Sequence, residues 1–157
     1  MISLTYAAFH FSPSDTRYFT RSEKAYKSIG ITVQRVRSNP NVKIFLTSKQ
    51  DMQRLYPSVA RAGLSVMDRS TNEIHLLESN WNEIPVHLGS EFTNLDDYRV
   101  ALLSHEISHA LGHDHVKCAC KGCDMDIRQQ PSRALGGCVP TTKVVFHTNA
   151  KHSSVNI

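Results

Sequence analysis

The chain has 157 residues, 40% of them hydrophobic and 20% charged, with a formal net charge of +4. That length builds one domain with a real core and is too short for two. No apolar run reaches the length of a membrane span, and the positive charge is spread out rather than gathered with aromatics, so neither membrane insertion nor nucleic-acid binding is expected.

The opening stretch, MISLTYAAFHFS, has no basic n-region, long apolar h-region or clear cleavage site. It does not read as a signal peptide. The chain is therefore expected to be intracellular or a trimmed mature form, with its compartment unassigned. Ile2 to Phe11 alternates and is rich in Tyr, Thr and Phe, which predicts a first strand. Ser12-Pro13-Ser14-Asp15 combines a capping serine, a first-turn proline and an acid three residues after the cap. A helix is expected from there to Ile29, with Gly30 as its stop and Tyr18, Ala25, Tyr26 and Ile29 facing the core. Ile31–Arg37, Val42–Thr47, Leu64–Asp68 and Glu73–Leu77 read as four more strands. Ser48 to Tyr56 suggests a short helical turn ended by Pro57. His75 reads as a satisfied surface histidine. Asn80 to Thr93 is expected to be a loop covering the approach to the next helix, anchored by burial of Trp81.

Asn94 is a helix cap, with Asp97 three residues on. The helix it opens runs to Leu111. Val100, Leu103, Ile107, Ala110 and Leu111 form one apolar stripe, and His105 and His109 fall on the other side. The segment His105–His115 reads HEISHALGHDH. On a helix, positions four apart lie one above the other, so two imidazoles there can bind one zinc ion. Glu106 is then placed to work on a zinc-bound water. Gly112 can end the helix in a left-handed turn, letting His115 swing back as third ligand and leaving a fourth position open. That is the arrangement of a catalytic zinc. His113 lies between Gly112 and His115 and is not preferred as the ligand.

HExxHxxGxxH is the metzincin signature, and His105, Glu106, His109, Gly112 and His115 match it position for position. With LTYAAFHFSP, then a helix, strands and a Trp before the zinc helix, the chain resembles the catalytic domain of a matrix-metalloproteinase-type metzincin. Met125 corresponds to the methionine of the metzincin Met-turn. Cys118, Cys123 and Met125 are also similar to the cysteine cluster of archaemetzincins, although Cys118 is not adjacent to His115 and Cys138 stands alone where those proteins carry a pair. The resemblance implies a metzincin-like α/β (α+β) fold with a mixed, mostly parallel five-stranded sheet backed by two helices in residues 1–112. A small irregular C-terminal subdomain in residues 113–157 would carry the third His, the Met-turn and the cysteines. It further implies that the strand around Glu73–Leu77 is an edge strand, antiparallel to its neighbours, that pairs with the substrate backbone.

All four cysteines, Cys118, Cys120, Cys123 and Cys138, lie in that last part. Their spacing is compatible with a second, structural zinc site, with two disulfides, or with free thiols. Gly137-Cys138-Val139-Pro140 also resembles the inhibitory cysteine segment of latent matrix metalloproteinases, which implies a thiolate that could displace the water. Lys151 to Ile157 is polar and expected to fray.

The function expected is zinc-dependent peptidase action on a peptide or protein substrate by a monomer, with Glu106 as general base and then general acid. Two alternatives stand beside it. One is a non-catalytic zinc-binding interaction module, which would have no use for Glu106. The other is a specialised aminopeptidase, for which Glu73, Glu78 or Glu83 would hold the substrate amine.

Overall fold

The computed structural model describes residues 2–28, 30–85, 92, 94–113 and 155–156. Three strands, β1 (Ile2–Phe9), β2 (Ile31–Arg35) and β3 (Val42–Thr47), lead into two short helices, α2 (Lys49–Leu55) and α3 (Pro57–Ala62). Helix α1 (Thr16–Lys27) crosses over between β1 and β2. Strands β4 (Val66–Asp68) and β5 (Glu73–Leu77) follow, then α4 (Glu78–Asn82), the long helix α5 (Leu95–Ala110) and a two-residue strand β6 (Val155–Asn156). The sheet order is β2-β1-β3-β5-β4-β6. Strands β2, β1, β3 and β5 pair in parallel, whereas β4 is antiparallel to both β5 and β6. The fold is mixed α/β with a mostly parallel five-stranded sheet, to which β6 adds a short sixth strand.

Alternation along the strands divides the core between two faces. Ile74, Leu76 and Met67 join Ile44, Val42, Leu4 and Tyr6 in a cluster completed by α1 and α5. Val66 and Leu77 belong to a second cluster with Met52, Val59 and Ala60 from α2 and α3. The expected pair of backing helices is thus α1 and α5, and the other face is covered by the α2–α3 pair. Helix α3 was not anticipated, because Pro57 reads as a stop for the segment before it. Proline equally starts a helix at its first position, where a missing N–H costs nothing, and Pro57 does both. The loop expected from Asn80 contains the end of α4, whose Trp81 is buried as foreseen. Trp81 meets Phe11 and Tyr18 edge-on at 5.3 and 5.5 Å, and its carbonyl accepts from Arg99 Nε at 2.8 Å.

Other boundaries moved for local reasons. β1 ends at Phe9, since His10 adopts φ +71 and leaves the extended region. The first helix starts as a 3-10 turn over Pro13–Asp15, with the Ser12 N–H donating to Asp15 Oδ2 at 3.1 Å, before α1 proper begins. Gly30, at φ +82, terminates the segment as expected. Two expectations are corrected. The strand at Glu73–Leu77 is not an edge: β3 takes one side in parallel and β4 the other, and Ile74 to Leu77 are all buried. The antiparallel strand toward the edge is β4. Nor does the tail fray throughout, because Val155 and Asn156 pair with Asp68 and Met67. No described helix is long and apolar enough to cross a membrane.

What sets the rotation of α5 is a buried polar seam against α1. Tyr26 donates its hydroxyl to the Ser104 carbonyl at 2.7 Å and lies 2.7 Å from Ser108 Oγ, while Ser22 and Ser104 hydroxyls meet at 2.8 Å. Directional bonds at positions 104 and 108 fix where residues 105 and 109 must point. Tyr26→Phe is expected to cost about 1–3 kcal/mol, since it strands buried hydroxyl partners. Urea unfolding of the variant checks this, and an unchanged midpoint would remove the seam from the account.

Candidate metal centre

The helix that carries the HExxH residues is capped as its sequence predicts. Asn94 Oδ1 accepts from the Asp97 N–H at 2.8 Å, and the Asn94 amide donates to Asp97 Oδ2 at 3.0 Å. Arg21 binds Asp97 at 2.8 Å, ties this end to α1 and holds the carboxyl below its usual range. The far end closes around Gly112, whose φ of +100 favours glycine. The His113 N–H donates to the Ser108 carbonyl at 2.9 Å and the Gly112 N–H to the His109 carbonyl at 3.0 Å. These are the two bonds of a Schellman end.

His105 and His109 stand together on α5 with ring centroids 4.8 Å apart and planes at 85°. Each is 2% exposed. The Schellman turn carries the chain back so that the His113 carbonyl meets His109 Nδ1 at 2.8 Å. A carbonyl can only accept, so Nδ1 carries a proton, and in the neutral ring Nε2 carries the lone pair. That is the tautomer a metal-binding imidazole needs, set by a partner on its other nitrogen. His113 thus contributes its backbone to the arrangement.

Glu106 is 1% exposed, and among the described residues its Oε2 has no hydrogen-bond partner. Burial pushes its carboxyl well above the usual carboxylate range. Burial also raises the Tyr98 phenol, and the Glu106 charge adds to that shift. A carboxylate buried without a donor is costly, and a nearby cation offsets that cost. Two histidines at i and i+4, one with its tautomer set, beside such a carboxyl are a donor set that fits zinc. Among the described residues no three His, Cys, Asp or Glu side chains come together as a metal site. The expected third ligand His115, together with Met125, Cys118, Cys120, Cys123 and Cys138, lies outside the described residues.

The remaining candidates have other partners or positions. His75 is buried rather than on the surface, with Thr47 Oγ1 2.7 Å from Nδ1, Glu73 Oε1 3.0 Å from Nε2 and Phe45 stacked on its ring. Glu73 is therefore engaged with His75, while Glu78 and Glu83 are exposed at the ends of α4. One residue near the site escaped sequence reasoning. Arg69, in the turn between β4 and β5, donates Nε and Nη2 to the His109 carbonyl at 3.2 and 3.0 Å, and Nη2 to the His113 carbonyl at 3.2 Å. It lies forty residues before His109, in a polar turn that carries no metal-site motif.

A protein-family model described as a protein of unknown function, DUF3152, matches residues 14–137. That span runs from the first turn before α1 through the HExxH helix and past Met125. No curated protein matches the chain.

The buried carboxyl makes stability depend on pH with a definite sign. With a raised folded value, Glu106 contributes fully below the unfolded glutamate pKa of about 4.3, and that contribution is lost as pH rises through the folded value. Glu106→Gln cannot ionise. In chelator, the variant is expected to be more stable than the wild type at pH 7, and the advantage should shrink toward pH 4. Denaturation curves at both pH values check it; a variant less stable at pH 7 would contradict the burial cost.

Proposed function

The chain belongs to the DUF3152 family of proteins of unknown function, and from its own residues we propose that it is a zinc-dependent peptidase of metzincin type. The observation that carries this reading is Glu106: a buried carboxyl with one oxygen unpartnered among the described residues, one residue from the first of two adjacent imidazoles on the same helix. A structural zinc site has no use for that carboxyl. A hydrolytic one needs it beside the metal.

In this reading His105 and His109 hold the ion through their ring nitrogens, and His115 completes the set. Zinc supplies, when bound, a Lewis acid that polarises the scissile carbonyl and lowers the pKa of water. Glu106 takes the proton from the attacking water and later delivers it to the leaving amine. Its burial suits both tasks, because a carboxyl in a dry setting is a stronger base than one in solvent, and the cation draws its pKa back toward the working range. His109 keeps its Nδ1–H on the His113 carbonyl throughout, which steadies the ring as charge builds. Hydrolysis of internal peptide bonds is the proposed reaction, with peptides or proteins as substrates.

The test requires no guess about substrate. Purified protein loaded with zinc is incubated beside its Glu106→Ala variant and a chelated sample, and intact masses are followed. New termini in the wild type alone are expected, and the cut sites map a first specificity. Cleavage that persists in Glu106→Ala would end the role given to that residue. Zinc content is measured in parallel: His105→Ala and His109→Ala should each lose at least tenfold in zinc affinity by chelator competition, with Glu106→Ala near wild type. Full affinity in both histidine variants would exclude this pair as the site.

A further inference from the structure

Arg69 reaches across from the sheet to the end of the zinc helix, and its aim is well constrained. The turn that carries it is pinned by Asp68, which accepts from the Ser70 N–H at 2.9 Å and the Ser70 hydroxyl at 2.6 Å through Oδ1, and from the Tyr56 hydroxyl at 2.8 Å through Oδ2. Those hydrogen bonds outweigh burial and hold the Asp68 carboxyl below its usual range. From this fixed base the half-buried Arg69 extends to two carbonyls at once. One is the carbonyl of His109, in the last turn of α5. The other is the carbonyl of His113, the same oxygen that accepts from His109 Nδ1.

Resting on the zinc reading, we propose that Arg69 is a positioning residue for the metal site. Its guanidinium bridges the two carbonyls and locks the Schellman end, so that the His113 oxygen stays on His109 Nδ1 and Nε2 stays presented to the metal. A rigid fork of donors does this better than a point charge, because Arg can serve two carbonyl groups in a set geometry while Lys cannot. A cation at this end also complements the partial negative charge of the helix C-terminus. The device ties the metal-binding face of α5 to the β4–β5 hairpin. Backbone at one end of the sheet thereby controls the nitrogen that faces the ion.

The structure puts this within reach of two independent readouts. The first uses the metal-free protein. Nitrogen-15 NMR of the imidazoles at alkaline pH reports which nitrogen of His109 is protonated. Wild type is expected wholly in the Nδ1–H form, Arg69→Gln in a mixture and Arg69→Lys in between. The second is zinc affinity by competition with a chromophoric chelator, expected to fall about 10–100-fold in Arg69→Gln and less in Arg69→Lys. Arg54→Gln, an exposed arginine on α2 paired with Asp51, serves as the control and should change neither. An unshifted His109 tautomer in folded Arg69→Gln, with affinity within twofold of wild type, would overturn the proposal. Should Arg69→Gln fail to fold, Arg69→Lys decides it by the same two measurements. If wild type bound no zinc, the metal reading would fall, and the tautomer of His109 in the metal-free variants would still say whether Arg69 sets that ring.

Discussion

Helix α5 has almost no solvent side. From Val100 to His109 every residue is buried, so the helix carries its serines, histidines and glutamate into the interior along with its leucines. Each polar group brought inside has to find a partner or cost free energy. Most of what surrounds the helix can be read as the answer to that demand. Ser104 and Ser108 find Tyr26 and Ser22 on α1; the final carbonyls find the Schellman N–H groups and Arg69; His109 Nδ1 finds the His113 carbonyl. Among the described residues, Glu106 Oε2 is left over. Within α5, among the described residues, the unmet requirement falls on that carboxyl. A cation would meet it.

The same seam explains how a site of this kind keeps its geometry. The apolar contacts of α5 with the sheet each contribute about 1.5–3 kcal/mol per large side chain, but they leave a helix free to roll. Hydrogen bonds between Tyr26 and the serines do not, because they fail within a fraction of a turn. With rotation set there and the C-terminus held by Arg69, both ends of the His105–His109 segment are anchored to different elements: α1 on one side, the β4–β5 turn on the other.

The fold and the candidate site were legible in the sequence to different degrees. Strands β3 and β5 match their expected limits to the residue, and each begins directly after an asparagine of a polar turn, Asn41 and Asn72. The Asn94 cap, the Gly30 and Gly112 stops and the burial of Trp81 were equally visible, as each depends on chemistry within a few residues. The missed helix α3 arose where one residue, Pro57, signals both an end and a beginning. The buried place of His75 could not be seen because its partner Thr47 and its stacked Phe45 belong to another strand.

By itself, then, the sequence determined the periodic and local features: a helix with two histidines one turn apart, a glutamate between them, a glycine to end it, and strands that alternate. Spacing along a helix is a covalent fact, and it needs no neighbours to put His105 above His109. Only the tertiary structure decided which strand lies outermost, which nitrogen of His109 donates to the His113 carbonyl, that Glu106 is buried with an oxygen unpartnered among the described residues, and that Arg69 closes the helix end. Those depend on residues brought together from distant positions, by sheet order and by burial, and the energies that select them exist only after the chain has packed.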